Sequence, residues 1–171
     1  MFVLRFIYGM NHFAKITLLG IVGLACARDV NFPDVPYVKL EEYEVIGPNV
    51  DPDLPNEHLK IKFYFTDGDG NIGLDDDQLA PPFCENCDHY YNLFVNVLSK
   101  ENGVLDTTYP YNARIKNLTP NAQYQSLEGH MIYKIDIANR ASDTIMVDFY
   151  LEDRDLNKSN LERTPELYID L

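Results

Sequence analysis

The chain has 171 residues, 46% of them hydrophobic and 12% aromatic, with 14 basic residues against 27 acidic ones for a net charge of −13. That length allows one domain beyond whatever the N-terminus provides. A chain this acidic repels nucleic acid and anionic lipid surfaces, which leaves polycations and metal ions as the partners its charge favours.

The first 25 residues differ from the rest. They hold no Asp or Glu, carry Arg5 and Lys15, and contain the apolar run 16–25 immediately before Cys26. A basic start, an apolar core of about ten residues and a small residue before the cut describe a secretory signal. The run falls short of the roughly 20 residues that a membrane-spanning helix needs. The segment from Met10 onward is a complete signal by itself. Gly23-Leu24-Ala25-Cys26 resembles the lipobox of bacterial lipoproteins, with Gly23 where Leu is the commonest choice. The resemblance implies that Cys26 is diacylated and becomes the mature N-terminus, a durable anchor because more than one acyl chain is attached. An ordinary signal peptide followed by an unrelated cysteine is the other reading. Cleavage before Cys26 leaves 146 residues carrying 12 basic and 27 acidic side chains, a net charge of −15. A domain of that size buries roughly 68–70% of its unfolded surface, so nothing forces a disulfide or a metal on it for stability.

Residues 26–36 are polar and proline-punctuated, a lipidated tether leading to a domain over 37–171. The pattern predicts a first strand over 37–46, with Val38, Leu40 and Ile46 on one side and Tyr43 and Val45 on the other. A proline-rich loop follows, then a second strand over 59–66, in which Leu59, Ile61, Phe63 and Phe65 alternate with Lys60, Lys62, Tyr64 and Thr66. Residues 79–89 are irregular. The segment 90–100 is apolar on both faces and reads as a central strand. Glu101-Asn102-Gly103 supplies the positive φ angles of a tight hairpin turn, so a strand near 104–109 pairs back. Further strands are expected over 112–118, 130–138, 143–152 and 166–171. Seven or eight strands separated by turn signals, without a helical stripe, predict an all-β antiparallel sandwich of the immunoglobulin-like kind. No Trp is present to mark an antibody-type core.

The strand ending in Phe-Thr-Asp-Gly-Asp-Gly-Asn-Ile-Gly-Leu, the Tyr-Tyr-Asn-Leu-Phe-Val strand and the Asp153-Arg-Asp155-Leu-Asn-Lys-Ser-Asn160 turn carry a resemblance. Together they resemble the small immunoglobulin-like lipoproteins of Bacteroidota. The resemblance covers the mature chain and implies a fold and an outer-membrane location; it implies no activity. The Cys84/Cys87 pair and Asp155 depart from it.

Asp67, Asp69 and Asn71 alternate as oxygen ligands do in a calcium loop, and Asp75, Asp76 and Asp77 follow closely. Calcium takes six to eight oxygens, and five carboxylates within eleven residues repel one another unless a cation intervenes. The candidate metal ligands are therefore Asp67, Asp69, Asn71, Asp75 and Asp77. An EF-hand is excluded, since the positions that need glycine and glutamate hold Ile72 and Gln78. A glycine-rich turn whose aspartates cap backbone N–H groups is the competing reading. Ile72 and Leu74 are expected to tuck into the core and fix the loop.

Cys84-Glu-Asn-Cys87 admits three readings. In an exported protein a local disulfide is one, closing a short ring for roughly 2 kcal/mol. A zinc site with His89 and a fourth ligand from His58 or His130 is another. A redox motif is the third, although its usual βαβ setting is missing. No nucleophile elbow, phosphate loop or HExxH spacing appears, so a non-enzyme is expected. Asp106-Thr107-Thr108 and Asp143-Thr144-Ile145 resemble O-glycan attachment sites of Bacteroidota. Tyr90, Tyr91, Tyr109, Tyr111 and Tyr124 offer aromatic surface for a sugar or protein partner. The reading is a lipid-anchored binding or assembly module with a protein or glycan partner and no nucleic acid. A calcium-dependent carbohydrate-binding or adhesion domain is its alternative, and a thiol or zinc protein a third.

Overall fold

The structure is a computed structural model that describes residues 31–120, 126–138 and 142–169. The signal, Cys26, Tyr124 and Leu171 lie outside the described residues. Eight strands run in chain order: β1 (Tyr37–Ile46), β2 (His58–Asp67), β3 (Leu93–Glu101), β4 (Val104–Pro110), β5 (Leu127–Asp136), β6 (Thr144–Leu151), β7 (Glu162–Arg163) and β8 (Leu167–Tyr168). One antiparallel sheet has the order β1-β2-β5; the other has β4-β3-β6-β7, with β8 also paired to β6. Among the described residues there is no helix. The protein is an all-β antiparallel sandwich.

Alternation in β2 explains the inner face of the first sheet. Leu59, Ile61, Phe63 and Phe65 are buried against Val95 and Val97 of β3 and Ile145, Val147 and Phe149 of β6. Phe63 meets Phe149 with ring centroids 4.9 Å apart. Burying one such side chain stabilises the fold by about 1.5–3 kcal/mol. The Asn102-Gly103 turn takes positive φ at both residues, 51° and 81°, and returns β4 along β3.

Three elements differ from expectation. In β1 a bulge between Leu40 and Glu42 shifts the register, so Val38, Leu40, Tyr43 and Val45 all pair with core-facing residues of β2. The extra residue reverses the phase that strict alternation gives Tyr43 and Val45. Residues 112–118 form single bridges, Ala113 to Leu93 and Lys116 to Leu74, instead of a strand. Their backbone is shared with a side chain: Asn92 Nδ2 donates to Ile115 O at 3.0 Å, and Ile115 N donates to Asn92 Oδ1 at 2.6 Å. Within the strand expected over 166–171 the described ladder is β8, and β7 before it was not expected. Between them Thr164 turns inward, with Val147 N donating to its Oγ1 at 2.9 Å, and Pro165 follows without an N–H to offer a ladder.

Candidate functional site

β2 and β6 belong to different sheets, and the same five-residue pattern follows each. It is Asp67-Gly-Asp69-Gly-Asn71 at the end of β2 and Asp153-Arg-Asp155-Leu-Asn157 after β6. Both fold alike. The leading carboxylate accepts from the amide four residues on, Asn71 N to Asp67 Oδ2 at 2.7 Å and Asn157 N to Asp153 Oδ1 at 2.8 Å. Short acidic side chains favour such local caps over a continued ladder. The two turns are also tied to each other. Arg154 N donates to Asn71 O at 3.3 Å, and Asn71 Nδ2 donates to Asp155 Oδ2 at 3.1 Å. Ile72 and Leu74 are buried and seat the first turn on the core. Gly73 has φ +92° and lies so close to Lys116 that a Cβ would overlap its carbonyl.

The turns bring three carboxylates together. One oxygen from each of Asp67, Asp69 and Asp153 lies within 4.8 Å of the others. Asp67 is 0% exposed and Asp153 2% exposed. Asp67 Oδ1, Asp69 Oδ1 and Asn71 Oδ1 are buried without a hydrogen-bond partner, although each side chain is engaged through its other polar atom. Asp67 Oδ2 accepts from Asn71 N, and Asn71 Nδ2 donates to Asp69 Oδ2 at 2.9 Å. Among the described residues, Lys62 pairs with Glu41 and Glu42, Lys116 with Asp76, Lys134 with Asp51 and Arg163 with Asp148, all away from the three carboxylates. Burial pushes the Asp67 carboxyl up to about 7, opposed by the Asn71 amide and reinforced by the charges of Asp69 and Asp153. Burial likewise raises Asp69 and Asp153.

No family model, curated protein or solved structure matches this chain. The chemistry of the corner therefore rests on its own atoms. A buried oxygen without a donor costs about 1–3 kcal/mol, and three of them beside like charges form a cradle for a cation. Oxygens on opposite sides of a bound calcium ion are about 4.8 Å apart, twice a Ca–O distance of roughly 2.4 Å, so three carboxylate oxygens that all lie within 4.8 Å of one another are close enough to share one ion. Asp67, Asp69 and Asp153 offer three hard oxygens, and a calcium ion there would need about three to five more, from Asn71, carbonyls or water.

Of the expected ligands, Asp67 and Asp69 lie together, and Asn71 is hydrogen-bonded to both. Asp75 and Asp77 do not join the group. Backbone bonds from Leu74 N to Ile115 O and from Asn117 N to Leu74 O carry the chain away, and Asp75 Oδ1 accepts from Asn117 Nδ2 at 3.0 Å. Asp153 was not among the expected ligands. Its signal is the repeat of the Asp-x-Asp-x-Asn spacing after a second strand.

Cys84 and Cys87 are joined in a disulfide, with Cα atoms 5.0 Å apart. Bonded to each other, they leave no thiolate for zinc. The three histidines among the described residues have separate partners. His58 Nδ1 lies 3.1 Å from Asn56 O, His89 Nδ1 lies 2.5 Å from Glu152 Oε1, and His130 faces Glu41. Thr144 is 8% exposed, and its hydroxyl donates to Asp143 Oδ1 at 3.0 Å, so it is not presented for glycosylation. Tyr90 packs edge-on to Tyr91 and beneath the Arg114 guanidinium. Tyr111 packs against the core.

Proposed function

We propose that the chain is a lipid-anchored, non-enzymatic binding or assembly module of the bacterial outer membrane whose acidic corner holds calcium. The observation that carries the ion is the set of buried, partnerless oxygens on Asp67, Asp69 and Asn71, beside the Asp153 carboxylate. The signal–Cys26 junction supports the anchor. The ion joins the turn after β2 to the turn after β6, and so ties the two sheets together at one end. Its role is to hold a binding surface in shape; no bond of a substrate is broken.

A thermal melt of the full chain in detergent, with calcium and with chelator, tests the ion. Calcium at 100 times its Kd stabilises the fold by about 2.7 kcal/mol, which for a domain of this size raises the melting temperature by roughly 5–10 °C. The shift is expected to vanish in Asp69→Ala. An unchanged melt makes the corner a capped turn and removes the calcium reading. Mass spectrometry of the membrane fraction tests the anchor, since a mature N-terminus other than acylated Cys26 overturns it. Glycan binding that a chelator abolishes would specify a calcium-dependent adhesion domain.

A further inference from the structure

The chain enters the domain across this corner. Gly68 sits between Asp67 and Asp69, and its N–H donates to Pro33 O at 2.8 Å. The backbone of Phe32 and Pro33 lies so close to Gly68 that a Cβ there would overlap the Phe32 carbonyl, so glycine is the residue that permits this approach. Pro36 is buried. Two residues later Val38 is held at both ends by one side chain: its N–H donates to Asn160 Oδ1 at 2.9 Å, and its carbonyl accepts from Asn160 Nδ2 at 2.8 Å. Asn160 closes the turn that begins at Asp153. Both turns that frame the corner therefore also hold the entry segment.

Charge couples that segment to the corner. Asp34 is near enough for its carboxylate to act on Asp69, adding to the influence of Asp153 and Asp155. With no cation bound, seating residues 32–36 brings a further negative charge to a group already crowded with them. A divalent cation cancels two of those charges, so the repulsion that opposes docking falls. The same ion fixes Asp67 and Asp69 on either side of Gly68, and so fixes the N–H that holds Pro33.

We propose that the corner is a calcium-operated clasp: the bound ion seats residues 32–36 on Gly68, and its loss releases them. Calcium thereby sets how rigidly the domain is carried on the segment that leads to its membrane anchor. The clasp rests on the reading of the corner as a calcium site. The ion shifts docking only by the ratio of its affinities for the docked and released forms, and docking must strengthen ion binding by the same factor.

Hydrogen exchange on the full chain, with calcium and with chelator, tests the clasp beside the thermal melt. The reporters are the amides of Gly68, Phe32, Asp34 and Val35. Calcium is expected to slow their exchange on the order of tenfold, within the usual range of coupling between sites. Asp69→Asn should abolish that effect. Asp34→Asn, at an exposed position outside the ligand set, should protect the same amides without calcium and shrink the response to it. A melt that shifts with calcium while these amides exchange unchanged overturns the clasp and leaves the ion site standing. No shift in either measurement removes both. An Asp34→Asn chain with unaltered calcium dependence overturns the charge coupling that drives the release.

Discussion

Asp67 ends β2 with its carboxylate out of water, facing Asp69 and Asp153, and burial holds it up at about 7 against an ordinary value near 3.9. Between those two values the folded, ion-free protein keeps a proton that the unfolded chain has released. The resulting stabilisation is complete below about pH 4 and is lost as the pH rises through about 7. Calcium prefers the ionised form, so its own contribution grows across the same window. Asp67→Asn removes the charge and keeps an acceptor for the Asn71 amide. Without calcium at pH 8 this variant is expected to be more stable than the parent by about 1–3 kcal/mol, with a melting temperature that falls less between pH 4 and 8 than the parent's, the remaining fall coming from Asp69 and Asp153, and no response to calcium. Calorimetry across that pH range checks all three. A variant that melts below the parent in chelator would show that the ionised carboxylate is already satisfied. The meeting of Asp67 and Asp69 was legible because alternate positions of a turn can point at one centre. Asp75 and Asp77 share their chemistry but follow Leu74, whose backbone pairs with another segment.

Most strands could be read directly, since alternation is a local consequence of the two-residue period. β1 was legible in its extent but not in its facing, because one inserted residue reverses every side chain beyond it. The edge it leaves open is partly closed by side chains: Leu40 N donates to Glu162 Oε2 at 3.0 Å, next to the Asn160 clamp on Val38. Residues 112–118 alternate as a strand does, yet Asn92 competes for their backbone. Asn92 is 3% exposed and serves Ile115 at both N and O. Asn92→Ala leaves both groups without that partner, and a loss of about 2–4 kcal/mol is expected. Urea unfolding would read it as a lower midpoint at constant slope. A midpoint that does not move would mean that water replaces the amide.

The whole molecule is held by two sheets that share one core and by the corner that joins their ends. Phe63 and Phe149 come from opposite sheets and are both fully buried. Phe149→Ala is expected to cost about 3–5 kcal/mol, a large part of the 5–15 kcal/mol typical of a domain. Its melting temperature should fall by on the order of 10 °C, and saturating calcium should restore part of the loss by acting at the other contact between the sheets. A Phe149→Ala chain that gains nothing from calcium would separate the corner from global stability.

Composition, charge and period-two alternation by themselves determined that this chain is an acidic all-β domain, that Asn102-Gly103 turns a hairpin, and that acidic side chains gather after β2. Each is a property of neighbours along the chain. Only the tertiary structure decided that Asp153, 86 residues beyond Asp67, stands beside it, and that Phe32 and Pro33 lie on Gly68. Those meetings depend on which strands pair and how the sheets face each other, and local sequence does not encode contacts made across the sandwich.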